Sequence, residues 1–163
     1  MANLLLEDIF RVTDIDPDAF FGERSTRTKT NPLGALFRWC AVSRIEAHSE
    51  QFDMHLLLDV NCDVYPLHRD EKFTMALAPT LSLDGTPDEG VLDQSGKRSL
   101  ADRYDYVMYG KLYKYSDDHS TGALKVDIYV SFGGLLMKLK GDPQHLNELQ
   151  MDQRLYVLLR KVK

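Results

Sequence analysis

The sequence predicts an all-β protein whose strands form one antiparallel barrel. Several segments alternate apolar and polar residues with a period of two, turn clusters separate them, and helical periodicity is almost absent. An antiparallel sandwich fits the same pattern, but a strand that turns a corner favours the barrel. The chain has 163 residues, 44% of them hydrophobic, which is enough for a buried core. We therefore predict a single domain over residues 1–163.

The first half of the chain contains four predicted strands. The first two are expected at 4–13 and 40–49. The strongest alternation runs from 52 to 64, where every even position is apolar, and Pro66 ends or bends this strand. In the next strand, the residues expected to face inward are Phe73, Met75 and Leu77.

The second half continues the pattern. Turn residues are concentrated in 82–90, and a long polar loop is expected over 91–102. Three further strands are predicted at 103–115, 124–132 and 155–163. Asp142 stands before Pro143, which predicts a short helix or turn over 143–149.

Two adjacent glycines, Gly133 and Gly134, interrupt the apolar run YVSFGGLLMKLKGD (129–142). The inward positions are even up to Phe132 and odd from Leu135 onward. A shift by one residue would turn the second half to the opposite face unless the chain absorbs it. We predict a β-bulge or sharp bend at the glycines, in preference to the two-residue hairpin turn for which Gly-Gly is also typical.

Residues 22–39 do not follow the strand pattern. This stretch lacks alternation and is locally basic, with Arg24, Arg27, Lys29 and Arg38 against Glu23. We predict an insertion-like loop at about 20–39.

Composition narrows the classes of function. A net charge of −5, from 20 basic and 25 acidic residues, lacks the basic footprint of a dedicated nucleic-acid binder. No apolar run approaches the ~20 residues needed to cross a membrane, and no membrane partner is expected. Two widely separated cysteines, Cys40 and Cys62, favour a reducing, intracellular compartment.

No pattern in the sequence points to a catalytic or metal site. The five histidines lack metal-ligand spacing to one another or to cysteine. Asp59, Asn61 and Asp63 imitate a calcium loop, but Val64 replaces the required glycine, and a solvated strand face is the favoured interpretation. We predict no catalytic residue, no cofactor and no metal.

The aromatic strand 103–115 allows two interpretations. Tyr104 and Tyr106 are expected on one face, and the other face is expected to carry Tyr109, Tyr113 and Tyr115. With nearby lysines, these rings could stack single-stranded nucleic acid. The favoured interpretation is that one set packs in the core and the other covers a protein interface. The lysines concerned are Lys111, Lys114, Lys138 and Lys140.

Six segments in order resemble the small barrel subunit common to nuclear RNA polymerases I, II and III. Three are YVMYGKLY (106–113), YVSFGGLLMKLKGD (129–142) and MDQRLYVLLRK (151–161). The others are LEDIFRVTDIDPD (6–18), LDVNCDVYPL (58–67) and ALAPTLSLDGTPDEG (76–90). The resemblance covers nearly the whole chain outside 20–39, where the family usually has a shorter loop.

This resemblance implies an OB-fold-like antiparallel barrel and a non-catalytic subunit of DNA-directed RNA polymerase in the nucleus, including the nucleolus. The implied partners are the largest polymerase subunit and the alpha-like subunit, with nucleic acid reached only through the complex. A free-standing OB-type binder of single-stranded nucleic acid is the alternative, because fold alone does not fix function. The predicted partner-contact residues are Tyr106, Met108, Tyr109, Tyr113, Ser131, Phe132, Gly133, Gly134, Leu135, Leu136 and Met137.

Overall fold

A computed structural model describes residues 4–16, 28–30, 36–38, 42–87, 96–119 and 122–162. These residues form ten strands, one short helix and one 3₁₀ turn at Leu100–Arg103. The strands of the first half are β1 (Leu6–Ile15), β2 (Thr28–Thr30), β3 (Leu36–Arg38), β4 (Val42–Ser49), β5 (His55–Asn61) and β6 (Lys72–Ala78). The later elements are β7 (Tyr106–Asp118), β8 (Lys125–Phe132), β9 (Leu135–Gly141), helix α1 (Pro143–Leu146) and β10 (Arg154–Lys161).

Eight of these strands close into a barrel in the order β1-β4-β5-β9-β8-β7-β10-β6. Every neighbouring pair is antiparallel, and β6 pairs with β1 to complete the circle. Closure removes the unpaired strand edges that an open sheet would expose. The predicted all-β antiparallel barrel is confirmed.

The barrel interior follows the period-two pattern of the sequence. In β8 the side chains of Val126, Ile128, Val130 and Phe132 are buried, and the residues between them are only partly covered. The alternation in β5 is shorter than predicted. Val64 is 70% exposed because the strand ends at Asn61, whose side-chain oxygen accepts the Asp63 N–H at 3.1 Å and turns the chain.

The glycine pair forms a hairpin turn, and the prediction of a bulged strand at Gly133-Gly134 was wrong. β8 pairs directly with β9, and Phe132 lies opposite Leu135. Both glycines have positive φ angles, 63° and 106°, as the favoured two-residue hairpin turn requires. Residues 132 and 135 therefore face the same side, which produces the change from even to odd inward positions.

The register irregularities of the barrel lie elsewhere. The pairing of β1 with β4 shifts between Val12 and Asp14, and that of β7 with β8 shifts between Leu112 and Lys114. Each shift leaves one extra residue on one strand, which is the definition of a β-bulge. The second bulge places Tyr113 as the extra residue.

Different groups close the two ends of the barrel. At one end, the Asp142 side chain accepts a hydrogen bond from the Gln144 N–H at 2.8 Å and starts α1. Leu146 and Leu149 then enter the core, which confirms a short helix in the predicted 143–149 region. At the other end, the rings of Tyr65 and Tyr106 stack with centroids 5.2 Å apart.

A second apolar cluster lies outside the barrel wall. Its buried members come from the outward faces of β6 and β10 and from the 3₁₀ turn. We call it the outer apolar layer, formed by Ala76, Ala78, Leu100, Tyr156 and Leu158. The Leu100 N–H donates to the Leu81 carbonyl at 2.8 Å, which ties the covering segment down.

Within the predicted insertion-like loop, Thr28–Thr30 pairs with Leu36–Arg38 as a small antiparallel sheet separate from the barrel. The rest of 20–39 lies outside the described residues, so the insertion and the single domain stay predictions. In the described part of the chain, no helix has the length and apolar character to span a membrane.

Candidate subunit-contact surface

The two segments predicted to contact a partner are neighbours in the barrel. β7 pairs with β8, with Lys111 opposite Ser131, and β8 continues through the glycine turn into β9. Gly110 permits this close approach, since a Cβ there would lie 2.3 Å from the Ser131 carbonyl oxygen. Gly110 was not among the predicted contact residues, although an isolated glycine in a strand is a recognised sign of close backbone approach.

Two of the predicted contact residues face the barrel interior. Phe132 and Met137 are buried in the main core. Their side chains are therefore unavailable to a partner while the barrel stays folded. We infer that they anchor the β8–β9 hairpin, which carries the exposed glycine turn, to the core.

Three others contribute to the barrel end. Tyr106, Met108 and Leu135 are partly buried and pack against the core. The Tyr106 hydroxyl accepts the Asn61 N–H at 3.2 Å and donates to the Met108 sulfur at 3.3 Å. A partly buried tyrosine whose hydroxyl both donates and accepts a hydrogen bond is typical of a structural position.

The remaining predicted residues reach the surface. Tyr109 and Tyr113 are exposed, and the glycine turn is exposed beside them in the barrel wall. The Tyr109 ring lies 4.6 Å from the ring of Tyr156, at the margin of the outer apolar layer. Tyr113 lies 6.2 Å from Tyr129. The pKa of Tyr113 is raised mainly by its partial burial and to a smaller extent by the nearby Tyr129 hydroxyl.

The predicted grouping of the tyrosines was wrong at two points. Because Tyr113 is the extra residue of a bulge, Tyr115 pairs with the inward-facing Ile128, although its ring remains exposed. Tyr104 packs against the outer apolar layer while Tyr106 packs against the interior core. A single bulge thus changes which side chains share a face.

Opposite charges pair along the outer side of β4, β5, β9 and β8. Arg44 makes two bonds to the Asp59 carboxylate, of 2.7 and 3.0 Å, and the Leu136 N–H donates to the same group at 3.0 Å. Asp59 is only 7% exposed, so the predicted solvated face was wrong at this position. We call this the charge-paired face, formed by Arg44–Asp59, Lys138–Asp127 and Lys140–Asp118.

Three of the four lysines named for the nucleic-acid alternative are in ion pairs. Lys111 pairs with Asp152 at 2.9 Å, Lys138 pairs with Asp127 at 3.1 Å, and Lys140 binds Asp118. A groove that tracks phosphates needs cations available to the backbone. The geometry therefore does not favour the free-standing binder.

The Tyr129 ring is also occupied. The ammonium groups of Lys114 and Lys138 lie 5.0 and 5.5 Å from its centroid, within the range of cation–π contacts. A base that stacked on this ring would have to displace them. Tyr129 is therefore a poor stacking platform.

Two of the five histidines, which lack metal-ligand spacing along the chain, are brought together by the fold. His48 and His55 are directly opposite each other in the β4–β5 hairpin, with ring centroids 4.8 Å apart. The His55 Nε2 atom lies 2.5 Å from a carboxylate oxygen of Glu46. Strand register, which spacing along the chain does not reveal, brings these groups together.

Comparison with known proteins identifies the family. The family model described as RNA polymerase Rpb8 matches residues 7–161. Subunit 8B of RNA polymerases II, IV and V from Arabidopsis thaliana is 47% identical over 98% of this chain and 97% of its own. The subunit rpabc3 of RNA polymerases I, II and III from Dictyostelium discoideum is 42% identical over 99% of both chains. The RPABC3 subunit from Saccharomyces cerevisiae is 36% identical over 99% of this chain and all of its own.

One match among solved structures does not bear on the family assignment. The cytoplasmic molybdate-binding protein ModG covers 95% of this chain with 89% of its own, at 12% identity and a TM-score of 0.28. That score supports no argument about fold or ligand. The family match and the near full-length relatives, together with the barrel, are decisive: the chain belongs to the Rpb8 family of RNA polymerase subunits.

Proposed function

We propose that this chain is a non-catalytic common subunit of DNA-directed RNA polymerases I, II and III, acting through contacts within the assembly. As a member of the Rpb8 family, it is a component of RNA polymerase and not the catalytic subunit. The relatives from Dictyostelium and yeast are named for polymerases I, II and III, and the Arabidopsis relative for II, IV and V. We propose polymerases I, II and III because two of these three relatives are named for them.

The proposed partners are the largest polymerase subunit and the alpha-like subunit, in the nucleus and including the nucleolus. Nucleic acid would be reached only through the complex. The formal charge of −5 and the paired lysines support this arrangement.

The proposed docking patch consists of Tyr109 and Tyr113 with the glycine turn beside them. The single observation that carries it is two exposed tyrosines on β7 next to the β8–β9 hairpin. Tyrosine is enriched among the residues that dominate binding energy, because its ring offers a large contact area with a polar end. Ser131 and Leu136, both half-buried, flank the patch.

The test uses a tagged full-length chain expressed in cells of its own or a closely related organism. The wild-type protein should co-purify from nuclear extract with the two largest polymerase subunits. The double variant Tyr109→Ala/Tyr113→Ala should recover at least about tenfold less of them, because each lost anchor is expected to cost over about 1 kcal/mol.

The matched control is Leu124→Ala, which removes an exposed apolar side chain before β8, at the end opposite the glycine turn. It should behave like the wild type. Failure of the wild-type chain to co-purify would overturn the proposed subunit role. Equal recovery of the double variant and the control would overturn only the docking patch.

A further inference from the structure

We propose that Glu46, His48 and His55 form a binding site for a divalent transition-metal ion of the zinc type. Each residue offers one ligand atom, and the three atoms lie within 4.8 Å of one another. Two imidazoles and one carboxylate are a known ligand set for zinc, with bonds of about 2.0–2.2 Å. The site is independent of the docking patch and of the proposed function.

Strand pairing builds the site. Glu46 and His48 are two residues apart on β4, so their side chains share the outer face. His55 is the direct partner of His48 on β5, and Glu46 lies diagonal to it. Both positions are within side-chain reach across an antiparallel pair. The hairpin thus places three candidate ligands on one face of the barrel.

The atoms need only a small adjustment to accept an ion. The His55 Nε2 atom and the Glu46 oxygen are 2.5 Å apart. Around a tetrahedral ion with bonds of about 2.1 Å they would be separated by about 3.4 Å. Rotation of the partly exposed Glu46 and His55 side chains would supply this opening, and ligand atoms up to 4.8 Å apart would have to approach one another. His48 is exposed, which leaves an entry path and a fourth position for water.

The two cations that flank the site already have carboxylate partners. Two cations lie on the strands that flank the hairpin. Arg11 on β1 is opposite His48, and Lys140 on β9 is opposite His55. Arg11 is bonded to Glu50 at 2.5 Å, and Lys140 is bonded to Asp118. Glu50 is shared with a second cation, Lys72, at 2.8 Å. Both flanking cations therefore have a carboxylate partner other than Glu46, whose own carboxylate faces His55.

The first test is Zn²⁺ titration of the full-length chain by calorimetry. The wild type should bind one Zn²⁺, and His48→Ala or His55→Ala should weaken binding at least about tenfold. Loss even of an outer partner of a metal ligand typically costs 10–100-fold, and a direct ligand should cost no less. Glu46→Gln should also weaken binding. His68→Ala, which removes an exposed histidine on another loop, should change nothing.

A second readout needs no variant. On addition of Zn²⁺, the imidazole nitrogen resonances of His48 and His55 should shift in the wild-type protein while that of His68 stays fixed. The Co²⁺-loaded chain should show no thiolate charge-transfer band. Unmoved His48 and His55 resonances, a thiolate band, or unchanged affinity in His48→Ala would each overturn the site. Glu46 and His55 would then be a hydrogen-bonded pair and nothing more.

Discussion

Two outer faces of the barrel exclude water by different means. On β6 and β10 four outward side chains, those of Ala76, Ala78, Tyr156 and Leu158, lie within the outer apolar layer with Leu100. On β5, β9 and β8 several outward side chains are charged, and they form the ion pairs of the charge-paired face. Burial is comparable, since Leu158 is fully buried and Asp59 and Lys138 are 7% and 8% exposed.

The difference lies in how each face responds to change. Apolar burial is non-directional, so a lost contact costs roughly in proportion to the area and the cavity. A buried ion pair contributes little net stability when it forms, but removing one partner leaves the other charge desolvated and unmatched. The apolar face should therefore be sensitive to volume, and the charged face to pairing.

The largest effect is expected from Leu158→Ala in the outer apolar layer. Its side chain is fully buried against the covering segment, so truncation should lower the free energy of unfolding by about 2–5 kcal/mol. Urea denaturation measures this. Leu124→Ala, at a half-exposed leucine, should stay within about 0.5 kcal/mol of the wild type. A loss below about 1 kcal/mol for Leu158→Ala would mean that the layer is not a true second core.

The next effect is expected from Asp59→Ala on the charge-paired face. The substitution removes the carboxylate that accepts hydrogen bonds from the Arg44 guanidinium and the Leu136 N–H. We expect a loss of about 1–3 kcal/mol in urea denaturation, moderated because the Arg44 side chain is 26% exposed. The control Asp63→Ala removes an exposed carboxylate just beyond the same strand and should be nearly neutral. Equal losses in both variants would contradict the importance of pairing.

The sequence was sufficient for the interior but not for the turns. Alternation located β8 because side chains on a strand alternate between faces. Its alternate residues Val126, Ile128, Val130 and Phe132 are buried, as predicted. Parity alone, however, does not distinguish a bulge from a two-residue turn, because both shift the inward positions by one. What decides is that β9 pairs with β8, placing Leu135 opposite Phe132. That pairing is a property of the whole sheet.

The same limit applies to the surface. Arg44 and Asp59 are fifteen residues apart, and His48 and His55 meet only through the register of the β4–β5 hairpin. A sequence pattern shows which residues point outward, but not which outward residues face each other. Tyr109 and Tyr113 were predicted to contact a partner because alternation places them on one face, and both are exposed, although a β-bulge interrupts the alternation at Tyr113.

A smaller effect is expected when the Lys138–Asp127 pair is replaced as a unit. Lys138→Met alone should lower stability by about 1–3 kcal/mol, because it leaves a largely buried carboxylate without its cation. The double variant Lys138→Met/Asp127→Leu should return to within about 1 kcal/mol of the wild type. Urea denaturation of all three proteins measures the coupling. A double variant as unstable as the single one would show that this part of the face depends on charge itself.

The smallest effect concerns Lys140 and appears only at alkaline pH. Its hydrogen bond to Asp118 raises the pKa of Lys140 above the ordinary value of 10.5. The folded chain thus holds this proton more tightly than the unfolded chain. The stabilisation is complete below about pH 10.5 and is lost as the pH rises through the raised pKa. For a pair about one quarter exposed, it should amount to about 0.5 kcal/mol.

Denaturation curves recorded from neutral to strongly alkaline pH measure this contribution. The wild type should lose about 0.5 kcal/mol more than Lys140→Met over that range, since the variant has no such proton to lose. Lys97→Met, at an exposed lysine beside the outer apolar layer's 3₁₀ turn, should follow the wild type because other titrating groups are common to both. If the stability of Lys140→Met fell with rising pH as steeply as that of the wild type, the Lys140–Asp118 pair would contribute nothing measurable. Stability on the charge-paired face would then reside in its less exposed pairs, where desolvation makes each partner depend on the other.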